Sequence, residues 1–151
     1  MKPGTLATLV AFASCAASTG VAFAQVKPET LVKQRQSAMT LQGKYFGPLA
    51  AMAGGKAPYD AAVVARNATY LDLLGKMAWD GFDPGTSGEK SRALPEIYKE
   101  PAKFKEAADK FQVEIGKLVV ASKSGNESAA KNAIGDIGKA CSACHDDFRS
   151  K

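Results

Sequence analysis

The residues with the clearest chemistry are Cys141-Ser142-Ala143-Cys144-His145, late in the chain. Cys-x-x-Cys-His is the spacing at which c-type haem is attached. Each thiol can add to a haem vinyl group as a thioether, and the histidine that follows can take one axial position on the iron. On a helix, steps of three and four bring Cys141, Cys144 and His145 out on one face. One helical turn then carries two covalent links and an iron ligand. Two other chemistries use the same residue types. A redox dithiol of this spacing opens a helix after a strand, whereas here the motif sits late in a helical pattern. A zinc site needs a fourth ligand, and the remaining cysteine, Cys15, falls in a segment read below as a leader.

His145 is the only histidine in the chain, so the opposite face of the iron has no second imidazole to bind it. Three methionines follow the leader: Met39, Met52 and Met77. Met39 sits mid-helix on an inward stripe and has two readings. Its sulfur can bind the iron and make a six-coordinate, low-spin electron carrier, or it can pack over the iron without binding, as methionine does in apolar gaps. Arg35, one turn earlier, can pair with a haem propionate or lie over the bundle surface on its apolar stem. Arg149, four residues after His145, can flank the imidazole or simply place a positive charge at a helix C-terminus.

Elements that position these groups are legible from apolar periodicity. A first helical segment opens at Pro28, a residue suited to the first turn, and closes at Gly54-Gly55, with Gly47-Pro48 expected to kink it or end it early. A second follows Asp60, a plausible N-cap. Trp79 to Pro95 holds three glycines and two prolines and reads as a long irregular stretch. Its Trp79 and Phe82 are expected to fold back onto a core or a cofactor edge. A third helix starts around Pro101 and ends at Ser124-Gly125-Asn126. The fourth runs from about Glu127 to Phe148, with Cys141, Cys144 and His145 on its apolar stripe. No segment alternates with period two. The expected fold is all-α: an antiparallel four-helix bundle with covalently bound haem c.

The bulk numbers fit one domain. There are 151 residues, 46% hydrophobic and 23% charged. Twenty basic and 15 acidic residues give +5. The basic residues are scattered rather than striped, so nucleic acid is not an expected partner. Residues 1–24 read as a signal peptide: Lys2, an apolar run from Leu6 to Ala17, and Ala22-Phe23-Ala24 before the cleavage point. The run is too short and alanine-rich for a membrane span. A lipoprotein with Cys15 lipidated is the weaker alternative, because Phe12 stands where a branched aliphatic residue is expected. The mature protein would be residues 25–151, exported to the periplasm. No second histidine and no carboxylate pair at telling spacing point to catalysis, so no enzymatic activity is expected.

The mature chain resembles the cytochrome c′ family, the class II c-type cytochromes, over about residues 27–151. Arg35-Gln36-Ser37-Ala38-Met39-Thr40, Ala57-Pro58-Tyr59-Asp60-Ala61, Phe82-Asp83-Pro84-Gly85-Thr86 and the C-terminal run Cys141 to Arg149 carry the likeness. It implies a homodimeric bundle with one haem per chain and His145 as axial ligand. It also implies five-coordinate, high-spin iron facing an apolar pocket that binds NO and CO. By that pattern Met39 and Phe82 line the pocket, Arg35 and Gln36 lie at the propionates, and Arg149 stands near the proximal face. Electron exchange with a redox partner protein is a further implication. Many relatives carry leucine or phenylalanine where Met39 stands, which keeps the six-coordinate alternative open. The stretch from Ser87 to Leu94 is slightly longer than in near relatives, and no role is carried onto it.

Overall fold

The structure, a computed structural model, describes residues 26–151. The expected signal peptide and Cys15 lie outside the described residues. Five helices follow in order: α1 (Pro28–Ala53), α2 (Ala61–Met77), α3 (Glu96–Lys99), α4 (Pro101–Ser124) and α5 (Glu127–Phe148). The four long ones form an antiparallel bundle in which α1 packs on α2, α2 on α4, α4 on α5, and α5 back on α1.

Local chemistry sets the ends. Pro28 and Pro101 occupy the first turns of α1 and α4, where an N–H has no helical acceptor. The Asp60 carboxylate accepts from the N–H groups of Ala62 and Val63 at 2.9 and 3.0 Å and caps α2. The Asn126 side chain does the same for α5, accepting from Ala129 N at 2.9 Å. Gly125 ends α4 at φ +70°, a left-handed conformation that glycine adopts without strain.

Pro48 neither ends α1 nor shortens it; the helix runs on to Ala53. A proline removes one N–H from the ladder, and packing outweighs that loss here. Leu49 is fully buried and Met52 nearly so, hence the last turn is held by the core. The irregular stretch also has more order than its composition suggests. Trp79–Gly81 and Pro84–Thr86 form single 3₁₀ turns, and α3 adds one helical turn before α4.

The core is a layer of aliphatic side chains between the helices. Leu49, Val64, Leu71, Ile115, Leu118, Ile134 and Ile137 are at most 1% exposed. Burying each such side chain contributes about 1.5–3 kcal/mol. This layer occupies the middle and one end of the bundle. At the other end aromatic rings replace it. Phe82 and Phe104 have centroids 4.9 Å apart, and Phe104 and Phe148 5.2 Å. Among the described residues no helix is long and apolar enough to cross a membrane.

Candidate haem-binding site

The aromatic end of the bundle encloses a cavity of about 660 Å³, a volume typical of cofactor sites. Four parts of the chain supply most of its walls. α1 gives Arg35, Gln36, Met39 and Phe46; the segment after α2 gives Trp79 and Phe82; α4 gives Phe104 and Phe111; α5 gives Cys141, Cys144 and His145. Every residue singled out from the sequence for cofactor contact therefore reaches this cavity, including Arg149 at its rim.

α5 carries the chemistry because its inner face changes character along its length. Ala130, Ala133, Ile134 and Ile137 are buried against the other helices. One turn later Cys141 and Cys144 replace the aliphatic residues on that face, and His145 follows, all three partly buried. Burial, reinforced for Cys141 by the neighbouring Cys144, pushes the Cys141 thiol up to about 11. Burial likewise raises Cys144, with Asp147 adding to it. A redox dithiol works with a lowered pKa in an electropositive setting, and burial here acts in the opposite direction. Among the described residues no group of three His, Cys, Asp or Glu side chains converges to hold a metal ion. The His145 imidazole is held below its ordinary pKa, first by burial and then by the Arg149 and Arg92 guanidiniums. It is therefore neutral at pH 7, the form that donates a lone pair to a metal.

Arg35 is the unusual element of the opposite wall. It is 3% exposed, although it is a cation on a helix that faces solvent on its other side. Its Nη1 donates to Gly81 O and Thr86 Oγ1, both at 2.8 Å, and to Tyr98 Oη at 3.1 Å. Its Nη2 donates to Ser91 Oγ at 3.0 Å. The guanidinium carbon lies 4.6 Å from the centre of the Phe82 ring. All these partners are neutral. A surface position for Arg35, one of its two sequence readings, is thus excluded. The close approach needs Gly81: a Cβ there would come within 2.6 Å of Arg35 Cβ and 2.7 Å of Leu31 O. Gln36, next to Arg35, is exposed at the mouth.

These residues fit a haem. Two thiols and a neutral imidazole share one wall, the floor is aromatic, and a buried cation without a carboxylate partner borders the cavity. A buried charge is ordinarily paired, and a propionate would supply that pair. Cys141 and Cys144 would hold the group covalently, with His145 toward its iron and Arg35 toward its acidic edge.

The sequence alone did not mark Ser91 or Tyr98 as acceptors for Arg35, nor Arg92, and Thr86 entered only within the Phe82 to Thr86 run that carries the family likeness. Hydroxyls in a loop carry no periodic signal. The available clue was Arg35 itself, spaced three residues from both Val32 and Ala38 on the buried stripe. Trp79 was expected to fold inward and does; its rings meet Phe104 and Phe111 edge-on at 79° and 83°. Its Nε1, shielded from water, has no nitrogen or oxygen partner.

A haem-attachment motif turned to the inside of an antiparallel four-helix bundle is the arrangement of a helical c-type cytochrome, distinct from folds that carry the motif near their start. Comparison with known proteins narrows that class. The cytochrome c′ family model matches residues 30–149, and the chain belongs to that family. It is 44% identical over 126 residues to the cytochrome c′ of Rubrivivax gelatinosus, covering 83% of this chain and 98% of the relative. The crystal structure of that cytochrome superposes with a TM-score of 0.79 over 82% of this chain and 98% of the other. A nitric oxide complex of a variant cytochrome c′ from Alcaligenes xylosoxidans superposes with a TM-score of 0.77 at 43% identity, over 83% and 98% of the two chains.

Proposed function

We propose that the mature chain, residues 25–151, is a periplasmic mono-haem cytochrome whose haem c is attached through Cys141 and Cys144, with His145 as axial ligand to five-coordinate iron. In this reading it binds NO and CO in an apolar distal pocket bordered by Met39 and Phe82, can exchange electrons with a partner protein, and is not an enzyme. The observation that carries the proposal is the asymmetry of the cavity. α5 contributes the thiols and the imidazole, while α1 contributes Met39 and the segment after α2 and α4 contribute aromatic rings.

When bound, the haem supplies an iron centre for diatomic ligands and for one-electron transfer. The chain's own residues do the rest. α5 orients a neutral imidazole by carrying it one turn from Cys141. The Phe82, Phe104 and Phe111 rings make much of the cavity lining apolar and help to keep water from the iron. Bound dioxygen gains from a nearby donor because it carries partial negative charge. NO and CO depend on one less, so an apolar wall favours them. Arg35, fixed by four neutral acceptors, supplies positive charge at the acidic edge, and Gln36 adds a polar group at the mouth.

A second reading, low-spin iron bound by both His145 and Met39, is favoured by one observation: Met39 is partly buried and borders the same cavity as His145. The optical spectrum of the purified protein separates the two. High-spin bands and a Soret shift on adding CO to the reduced protein are expected. A low-spin spectrum with a thioether–iron charge-transfer band that disappears in Met39→Ala would establish the second reading instead.

Association as a homodimer is part of the proposal. Tyr70, Leu73 and Met77, at steps of three and four along α2, are 40%, 56% and 63% exposed, and Leu41 of α1 is 39% exposed. A run of exposed apolar groups on adjacent helices suits a helix-on-helix interface. Sedimentation should give a dimer for the wild type and a monomer for Leu73→Glu; a monomeric wild type would remove this part of the proposal.

A further inference from the structure

The chain beyond α5 does not hang free. Ala93 and Arg149 form an isolated antiparallel bridge. Leu94 N donates to Phe148 O at 3.0 Å, and Ser150 N donates to Arg92 O at 2.8 Å. Arg92 closes the arrangement with its side chain. Its Nε and Nη2 both donate to Ser150 O, at 3.0 and 2.7 Å.

The clamp is connected at both ends. Arg149 N donates to His145 O at 3.1 Å, so the held segment begins one helical turn from the imidazole. On the other side Ser91, the neighbour of Arg92, accepts from Arg35 Nη2 at 3.0 Å. The clamp is thereby tied to a guanidinium that is itself immobilised. A metal-bound imidazole is usually oriented by a hydrogen bond from its second nitrogen. The His145 ring has no such side-chain partner among the described residues; the groups that act on it are the Arg149, Arg92 and Asp146 charges. Its direction is then set by the last turn of α5 that carries it and by the packing that partly buries it.

We propose that Arg92 is a positioning residue for His145: residues 91–94 latch the end of α5 and so fix the angle at which the imidazole meets the iron. This rests on the haem reading above. The latch lies in the stretch from Ser87 to Leu94, to which the family likeness assigns no role.

The test uses the holoprotein. Intact mass first establishes covalent haem; its absence overturns the haem reading, and this inference with it. The remaining outcomes bear on the latch alone. Resonance Raman spectra of the reduced protein report the iron–imidazole stretching band for the wild type, Arg92→Ala and Ser150→Pro. Ser150→Pro removes the N–H that Arg92 O accepts and changes no charge. Arg149, at φ −131° and ψ 129°, already has the conformation a following proline requires. Both variants should broaden the band and move it in the same direction. In the wild type the Ser150 amide should exchange with solvent about tenfold more slowly than in Arg92→Ala. A band that moves only in Arg92→Ala would assign the effect to charge and overturn the latch. So would a band unmoved in both, whatever happens to the melting temperature, or an unprotected Ser150 amide in the wild type.

Discussion

Replacing Arg35 with methionine tests whether the buried guanidinium holds the long segment between α2 and α4 onto α1. Methionine keeps the unbranched stem and removes the charge. The cost can be followed acceptor by acceptor. Thr86 Oγ1 and Tyr98 Oη retain each other at 2.7 Å, and Thr86 Oγ1 retains Asp83 O at 2.7 Å. Ser91 Oγ keeps Ala93 N at 3.2 Å. Gly81 O, in a buried residue, is left without the guanidinium, and an orphaned buried acceptor costs about 1–3 kcal/mol. Lost charge-assisted bonds add to this, while relief from burying a cation subtracts. The net expectation is a loss of about 2–4 kcal/mol. For a chain of this size that lowers the melting temperature by about 10 °C. Urea unfolding of the oxidised holoprotein, followed by helical circular dichroism, measures it through a lower midpoint at unchanged slope. Thr86→Val alone and with Arg35→Met completes a cycle, with a coupling of about 1 kcal/mol expected for the Arg35–Thr86 contact. Wild-type or higher stability in Arg35→Met would refute the reasoning. It would mean that desolvating the cation outweighs its four bonds, and that the segment is held by Phe82 and Trp79 packing alone.

Two further outcomes follow from geometry already given. Gly81→Ala should destabilise by about 1–3 kcal/mol by overpacking, since its Cβ meets Leu31 O, a backbone atom that cannot swing away, at 2.7 Å; an unchanged midpoint in the same urea assay would show that the turn shifts freely. In the haem-free chain, alkylation of Cys141 should rise about tenfold per pH unit and level off only near pH 11, where its buried thiol ionises. Because that pKa lies above the unfolded value of about 8.5, the protonated thiol's contribution to stability is complete below pH 8.5 and lost as pH rises toward 11. An alkylation midpoint at the ordinary thiol value, read by mass spectrometry, would show that α5 does not bury its cysteines unless haem is attached.

The parts of the molecule that repeat were legible in the sequence. Apolar stripes at steps of three and four marked four long helices, and Asp60, Pro101 and Gly125 marked their ends through capping chemistry that acts within a few residues. The inward direction of Cys141, Cys144 and His145 followed from the same periodicity. Interactions set by distant parts of the chain were not legible. Pro48 carries a local penalty, and only the tertiary burial of Leu49 and Met52 keeps α1 intact beyond it. Arg35 stood out as a charge on a buried stripe, but its acceptors are 46 to 63 residues away and follow no pattern. The bridge between Ala93 and Arg149 is a single pair of residues, too short for any alternation to announce it.

Burial of the two thiols also bears on the order of events when the protein is made. A thiol that ionises near 11 and faces the interior reacts poorly with anything approaching from outside. The same thiol on an open chain is accessible and ionises more readily. α5 follows α1, α2 and α4 in the chain, so its partners are synthesised before it and can begin to assemble without it. In the haem reading proposed above, attachment therefore has a limited time, before α5 settles against α4. A last helix that docked late would keep that interval open, and anything that speeds its docking should leave more chains closed without their cofactor.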